Sequence, residues 1–123
     1  QKMVCLASNA ALSCVVRQPA GVVYNDPDLI VVARGAFGEV KAVAEAQGIP
    51  MPADIVERTL AMHQNFPPQM FASMYHDLAR GRRIELDSLS GVIVRKGREL
   101  GVPTPVHAMA YACLKPYMNG APK

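Results

Sequence analysis

Ser73, Asp77 and Arg80 stand four and then three residues apart, so a helix through them carries a hydroxyl, a carboxylate and a guanidinium along one edge. Beside that edge runs an apolar row of Met70, Met74 and Leu78, each four residues from the next. Such an edge can bind a polar ligand, or it can be the solvated side of an amphipathic helix. Gly81 then marks a helix stop, and Glu85 is expected in the first turn of the following helix, where the dipole favours a carboxylate.

Other groupings lose their chemistry on inspection of spacing. Ser73, His76 and Asp77 have the composition of a hydrolytic triad, but adjacent His and Asp on one helix project about 100° apart, which prevents the carboxylate from orienting the imidazole. His63, His76 and His107 are 13 and 31 residues apart, and no pair has the spacing of a local zinc nucleus, so no metal is expected. Cys5, Cys14 and Cys113 match no metal motif and sit among small apolar residues, as reduced core thiols of a cytoplasmic protein do. Gly35 and Gly38 lie inside an apolar helical stripe rather than after a strand, where small residues permit close helix packing.

The elements that must hold these residues are helical. Gly and Pro punctuate the chain at intervals suited to helices, and apolar residues between them recur every three or four positions. The first helix runs from Lys2 to about Arg17. Asp26 as N-cap, Pro27 at N1 and Gly48 as stop bound a second helix over about 27 to 47, with Ala33, Phe37, Val40 and Ala44 as its stripe. Further helices are expected from Ala53 to Asn65, from Pro68 to near Gly81, and along Leu86, Leu89, Ile93, Lys96 and Leu100 to Gly101. A last one starts at Pro105 and carries Met109, Ala112 and Cys113. Val22-Val23-Tyr24 and Val92-Ile93-Val94 have strand-like composition but neither alternation nor a hairpin turn beside them. The expectation is an all-α bundle of about six helices over residues 1–118, with 119–123 as a disordered tail.

The chain's 123 residues allow one hydrophobic core, and no apolar run reaches the roughly 20 residues of a membrane span. A net charge of +3 is spread along the chain, apart from Arg80-Gly81-Arg82-Arg83, and gives no nucleic-acid footprint. The chain opens at Gln1 inside an apolar-periodic segment without a helix-start signal, as a piece of a longer protein would.

The block Ser73-Met74-x-x-Asp77-Leu78-x-x-Gly81-Arg82-x-x-Glu85-Leu86, followed by Gly91 and Gly101-Val102-Pro103-Thr104-Pro105, resembles the C-terminal helical domain of the ketopantoate reductase family. Lys2 with Leu6-Ala7-Ser8-Asn9-Ala10 and Arg17-Gln18-Pro19-Ala20-Gly21 is similar to that family's first interdomain helix, and Glu39 to Ile49 to its second. The similarity covers roughly residues 2 to 116 in order.

The resemblance implies an all-α fold like the C-terminal domain of 6-phosphogluconate dehydrogenase. It also implies an NADPH-dependent enzyme in which an N-terminal Rossmann domain, absent from this chain, holds the dinucleotide while this domain binds a 2-oxo acid. By position, Lys2 matches the catalytic lysine, Glu85 the glutamate that engages it, and Ser73 the substrate-binding serine, with Asp77 in support. Where the family commonly has asparagines one and two turns after the lysine, this chain has Leu6 and Ala10. Asn9 is a substituted candidate one position off, about 100° around an ideal helix. That departure points from 2-dehydropantoate toward a more apolar 2-oxo acid. No dinucleotide fingerprint of glycines occurs in the 123 residues, so the chain alone is expected to be inactive. The alternative is a non-catalytic helical module that forms a homodimer through apolar surface.

Overall fold

A computed structural model describes residues 2–120, with side chains from Val4 onward. Seven α-helices are found among the described residues: α1 (Lys2–Val16), α2 (Ala20–Val23), α3 (Pro27–Ala46), α4 (Ile55–Gln64), α5 (Ser73–Ala79), α6 (Ser90–Leu100) and α7 (Pro105–Leu114), with a 3-10 turn at Lys115–Tyr117. The all-α architecture is as expected. The helix beyond the expected six is α2, built from the Ala20-Gly21-Val22-Val23 run. None of the helices is long and apolar enough to cross a membrane.

The first helix is central because it is made of small residues. Ala7, Ser8, Ala10, Ala11, Ser13 and Cys14 are all buried, and such short side chains let α3, α5, α6 and α7 approach α1 closely on several sides. The helix ends at Arg17, held at φ 60°, before Pro19. In α3, Asp26 Oδ2 accepts hydrogen bonds from the N–H groups of Asp28 and Leu29, both at 3.0 Å, with Pro27 at N1. The helix stops at Gly48, whose φ of 83° is one that a side chain disfavours.

Two apolar clusters form the core. One joins Val4, Tyr24, Phe37, Val40, Leu60 and Ile93, and the other joins Ala10, Cys14, Met74, Leu78, Ile84, Leu86 and Leu114. Each of the larger side chains contributes about 2–3 kcal/mol by leaving water. Leu89 packs against both clusters.

Several boundaries depart from the sequence reading. The helix expected from Pro68 begins only at Ser73. Residues 67–72 instead serve as hydrogen-bond partners of other elements: Met70 O accepts from Ala20 N (2.8 Å), Pro68 O from Gly21 N (3.0 Å), and Ala72 N donates to Ser13 Oγ (3.1 Å). The helix expected along Leu86 begins at Ser90, so Glu85 lies in the connection and not in a first helical turn. The stripe of Met109, Ala112 and Cys113 faces outward, because His107, Ala110 and Leu114 hold the buried side of α7. Cys113 is therefore exposed, Cys5 half-buried and Cys14 buried, all as free thiols. A Cβ on Gly35 would sit 3.3 Å from Val106 Cγ2, whereas Gly38 meets nothing within 4 Å, so only the first is a packing glycine. Asn119 forms an isolated antiparallel bridge with Arg83, which holds the chain past the expected start of the tail, and residues 121–123 lie outside the described residues.

Candidate active site

A cavity of about 500 Å³ lies at the seam of the two core clusters. Helix α1 gives it Leu6, Asn9 and Ala10, and residues 67–72, a segment clipped to α2 and α1 by the hydrogen bonds described above, give it Met70, Phe71 and Ala72. Ser73, Met74 and Asp77 enter from α5, and Glu85, Ser88 and Leu89 from the connection to α6. Ser73, Asp77, Glu85 and Asn9 thus share one cavity, although up to 76 residues of sequence separate them. Arg80, expected on the same edge, caps the C-terminus of α5 and is not part of the lining. Lys2 is the first residue of α1, and its side chain lies outside the described residues.

Local structure explains each placement. Ile84 and Leu86 are 1% and 0% exposed, and in a nearly extended connection the residue between two buried neighbours points the other way. Glu85 is that residue, exposed toward the cavity, and Ser88 Oγ donates to its Oε2 at 3.4 Å. The connection is anchored by Ile84 N donating to Met118 O at 3.0 Å. On α5, Gly81 at φ 69° turns the chain back, and Arg82 N donates to Asp77 O at 2.9 Å.

Asn9 reaches the cavity despite its offset. Leu6, Asn9 and Ala10 are three and four residues apart, so they share a face broad enough for all three to line the space. Tyr24 donates its phenolic hydrogen to Asn9 Oδ1, which leaves the Nδ2 donor for the cavity. Burial pushes the Tyr24 hydroxyl far above its ordinary pKa, so it remains a neutral donor. Its ring packs 4.8 Å from that of His63 and stacks with Phe37 at 6.4 Å, which fixes the hydroxyl's position. Phe71 stacks on Tyr75 with ring centroids 4.2 Å apart.

Tyr24 and Ser13 are positioning residues that sequence reasoning missed. A buried tyrosine in an apolar run hints at a polar partner, but nothing in the sequence identifies Asn9 as that partner. Buried Glu39 was missed as well: its Oε2 and Oε1 accept from Val106 N (2.8 Å) and His107 N (2.9 Å), satisfying the start of α7. The His107 ring is enclosed by Ser90 Oγ (3.1 Å), Ala36 O (3.1 Å) and Ser8 Oγ (3.3 Å).

Two further groupings have no catalytic geometry. Cys5 Sγ lies 3.4 Å from His63 Nε2, but His63 Nδ1 donates to Thr59 O at 2.7 Å, so Nε2 accepts from the thiol. Burial raises the Cys5 pKa, which keeps the sulfur protonated and unreactive. Among the described residues no group of three or more His, Cys, Asp or Glu side chains converges on a point where a metal could sit.

Comparison with known proteins gives concordant matches. The family described as ketopantoate reductase PanE/ApbA C terminal matches residues 1–118. The chain is 34% identical over 113 residues to the 2-dehydropantoate 2-reductase of Caulobacter vibrioides, covering 92% of this chain and 39% of that protein. Among solved structures, a PanE/ApbA family ketopantoate reductase from Ralstonia eutropha superposes with a TM-score of 0.85 at 32% identity, over 95% of this chain and 39% of that one. A dimeric ketopantoate reductase from Staphylococcus aureus superposes with a TM-score of 0.89 at 24% identity, over 95% and 41%, which speaks for the fold. The chain thus spans about two-fifths of the length of the relatives it matches.

Proposed function

The chain belongs to the ketopantoate reductase family, through that family's C-terminal domain, and on that premise we propose that it is the substrate-binding and catalytic helical part of an NADPH-dependent 2-oxo acid reductase. The observation that carries this reading is the meeting of Asn9, Ser73, Asp77 and Glu85 in one cavity, alongside the helix that begins with Lys2.

The regular secondary structure of the described residues is helical apart from an isolated bridge, and they form no strand-to-helix glycine turn of the kind that carries a pyrophosphate. They do not fit a dinucleotide. In this proposal NADPH is held by an N-terminal Rossmann domain outside the chain, and this domain occupies residues 1–118. What the helical part supplies is binding, orientation and a proton.

Reduction of a ketone leaves negative charge developing on its oxygen, and an ammonium within hydrogen-bond reach stabilises that charge and gives up a proton. Lys2 takes that role. Glu85 holds the ammonium by charge and hydrogen bonding, and is itself steadied by Ser88. The Ser73 hydroxyl donates to the substrate carboxylate. Asn9 Nδ2 donates to a substrate oxygen, and Asp77, one turn after Ser73, accepts from a donor at the same wall.

The test is NADPH oxidation by the enzyme that carries this chain, with 2-dehydropantoate and branched 2-oxo acids as substrates. Lys2→Ala is expected to lower turnover about a hundredfold or more, the scale of removing a proton donor. Ser73→Ala is expected to act mainly on KM. Wild-type turnover in Lys2→Ala overturns the assignment.

A second reading, association of two copies, has one observation in its favour: Met109, Ala112 and Cys113 form an outward apolar face on α7, with Met109 44% exposed. Light scattering tests it, and a strict monomer at high concentration counts against it.

A further inference from the structure

We infer that the cavity selects 2-oxo acids whose side chain is apolar over 2-dehydropantoate, whose side chain bears a hydroxyl, and that Leu6 is a determinant of this choice. The inference rests on the reductase reading above.

Apart from Asn9, the polar side chains of the cavity come from one stretch of chain, Ser73 to Ser88, and the proposed chemistry uses them on the substrate's carboxylate and carbonyl. The other contributors are α1 and the clipped segment, and they supply Leu6, Ala10, Met70 and Phe71. A side chain lying against them meets methyl, thioether and ring surface. The one polar residue α1 offers there is Asn9, and its carbonyl oxygen already accepts one hydrogen bond from Tyr24. A substrate hydroxyl at this wall has Asn9 as its one polar side-chain partner, and it must share the amide oxygen with Tyr24. It would lose part of its hydration without full replacement.

Leu6 sharpens the point. It is 52% exposed although it sits on a largely buried helix, and it is one of the residues that line the cavity. A hydrocarbon substituent covers its apolar surface and gains by doing so, whereas a hydroxyl does not. An apolar pocket discriminates against an added hydroxyl by at most about a hundredfold, which sets the scale of the effect.

The experiment compares kcat/KM for 4-methyl-2-oxopentanoate, phenylpyruvate and 2-dehydropantoate, with NADPH, in the enzyme carrying this chain and in its Leu6→Asn variant. At least one apolar acid is expected to be favoured over 2-dehydropantoate by roughly tenfold to a hundredfold. Leu6→Asn is expected to move the ratio toward 2-dehydropantoate by about tenfold, while the thermal unfolding midpoint holds because the residue is half exposed. Equal or better use of 2-dehydropantoate by the unaltered enzyme overturns the inference and leaves the reductase reading standing. An unmoved ratio in Leu6→Asn overturns the role of Leu6. Failure of every 2-oxo acid to support NADPH oxidation overturns the reductase reading itself, and the inference with it.

Discussion

Tyr24 donates its hydroxyl hydrogen to Asn9 Oδ1, which ties the short helix α2 to the cavity face of α1 and fixes which way the Asn9 amide points. Tyr24 is 0% exposed, so a phenylalanine fits the same space but leaves the Asn9 oxygen without its donor. Tyr24→Phe is expected to cost about 1–2 kcal/mol of stability in urea unfolding. It is also expected to raise KM several-fold with little change in kcat, since the amide turns freely. Unchanged stability together with unchanged KM contradicts this account of Asn9.

The segment that carries Met70 packs closely on a glycine. A Cβ on Gly21 would lie 2.9 Å from Pro68 Cβ and 3.1 Å from both Pro68 Cα and Pro68 O, contacts that the backbone there can relieve only by moving. Movement of Pro68 pulls on Met70, whose carbonyl accepts from Ala20 N and whose side chain lines the cavity. Gly21→Ala is therefore expected to destabilise by about 1–3 kcal/mol and to weaken substrate binding. Denaturant unfolding with KM measured on the same variant checks both parts. A variant with ordinary stability and KM shows that the clip is not needed.

Acid sensitivity follows from the buried histidines. Burial holds the His63 and His107 pKa values below the usual 6.5, so the folded state keeps both rings neutral while the unfolded chain takes up protons as pH falls through 6.5. Their stabilising contribution is present above pH 6.5 and is lost as pH falls from there toward the lower folded values. Each can lower stability by up to about 1.4 kcal/mol per pH unit. Glu39 has the opposite sign: burial raises its pKa above 4.5, so its contribution is present below 4.5 and is lost as pH rises through the folded value. Between pH 7 and 5.5 two rings act in one direction and one carboxyl in the other, and the urea midpoint is expected to fall with pH. A flat profile over that interval contradicts the burial of the two rings.

The helical architecture was legible in the sequence because its signals are local. Asp26-Pro27 and Gly48 bound α3, Gly101 at φ 71° ends α6, and Pro105 opens α7, each through its own backbone preference. The start of α5 was not legible. Residues 68–72 read as helix by period, but their carbonyls and Ala72 N are used by α2 and Ser13, which are some 50 residues away in sequence. The outward face of α7 was misread for a related reason: Met109 and Cys113 are as apolar as any core residue, and only the neighbours of His107 and Leu114 decide which side is buried.

The all-α class thus followed from the order and spacing of residues, and the resemblance to the ketopantoate reductase family that those residues carry marked Ser73, Asp77 and Glu85 as site candidates. Tertiary structure decided that Asn9 belongs with them, that Tyr24 orients it, and that Leu6, Met70 and Phe71 make the remaining wall apolar. The reason is physical: backbone preferences and amphipathic periods act over a few residues, whereas a cavity is defined by surfaces that different helices bring together only when the core closes.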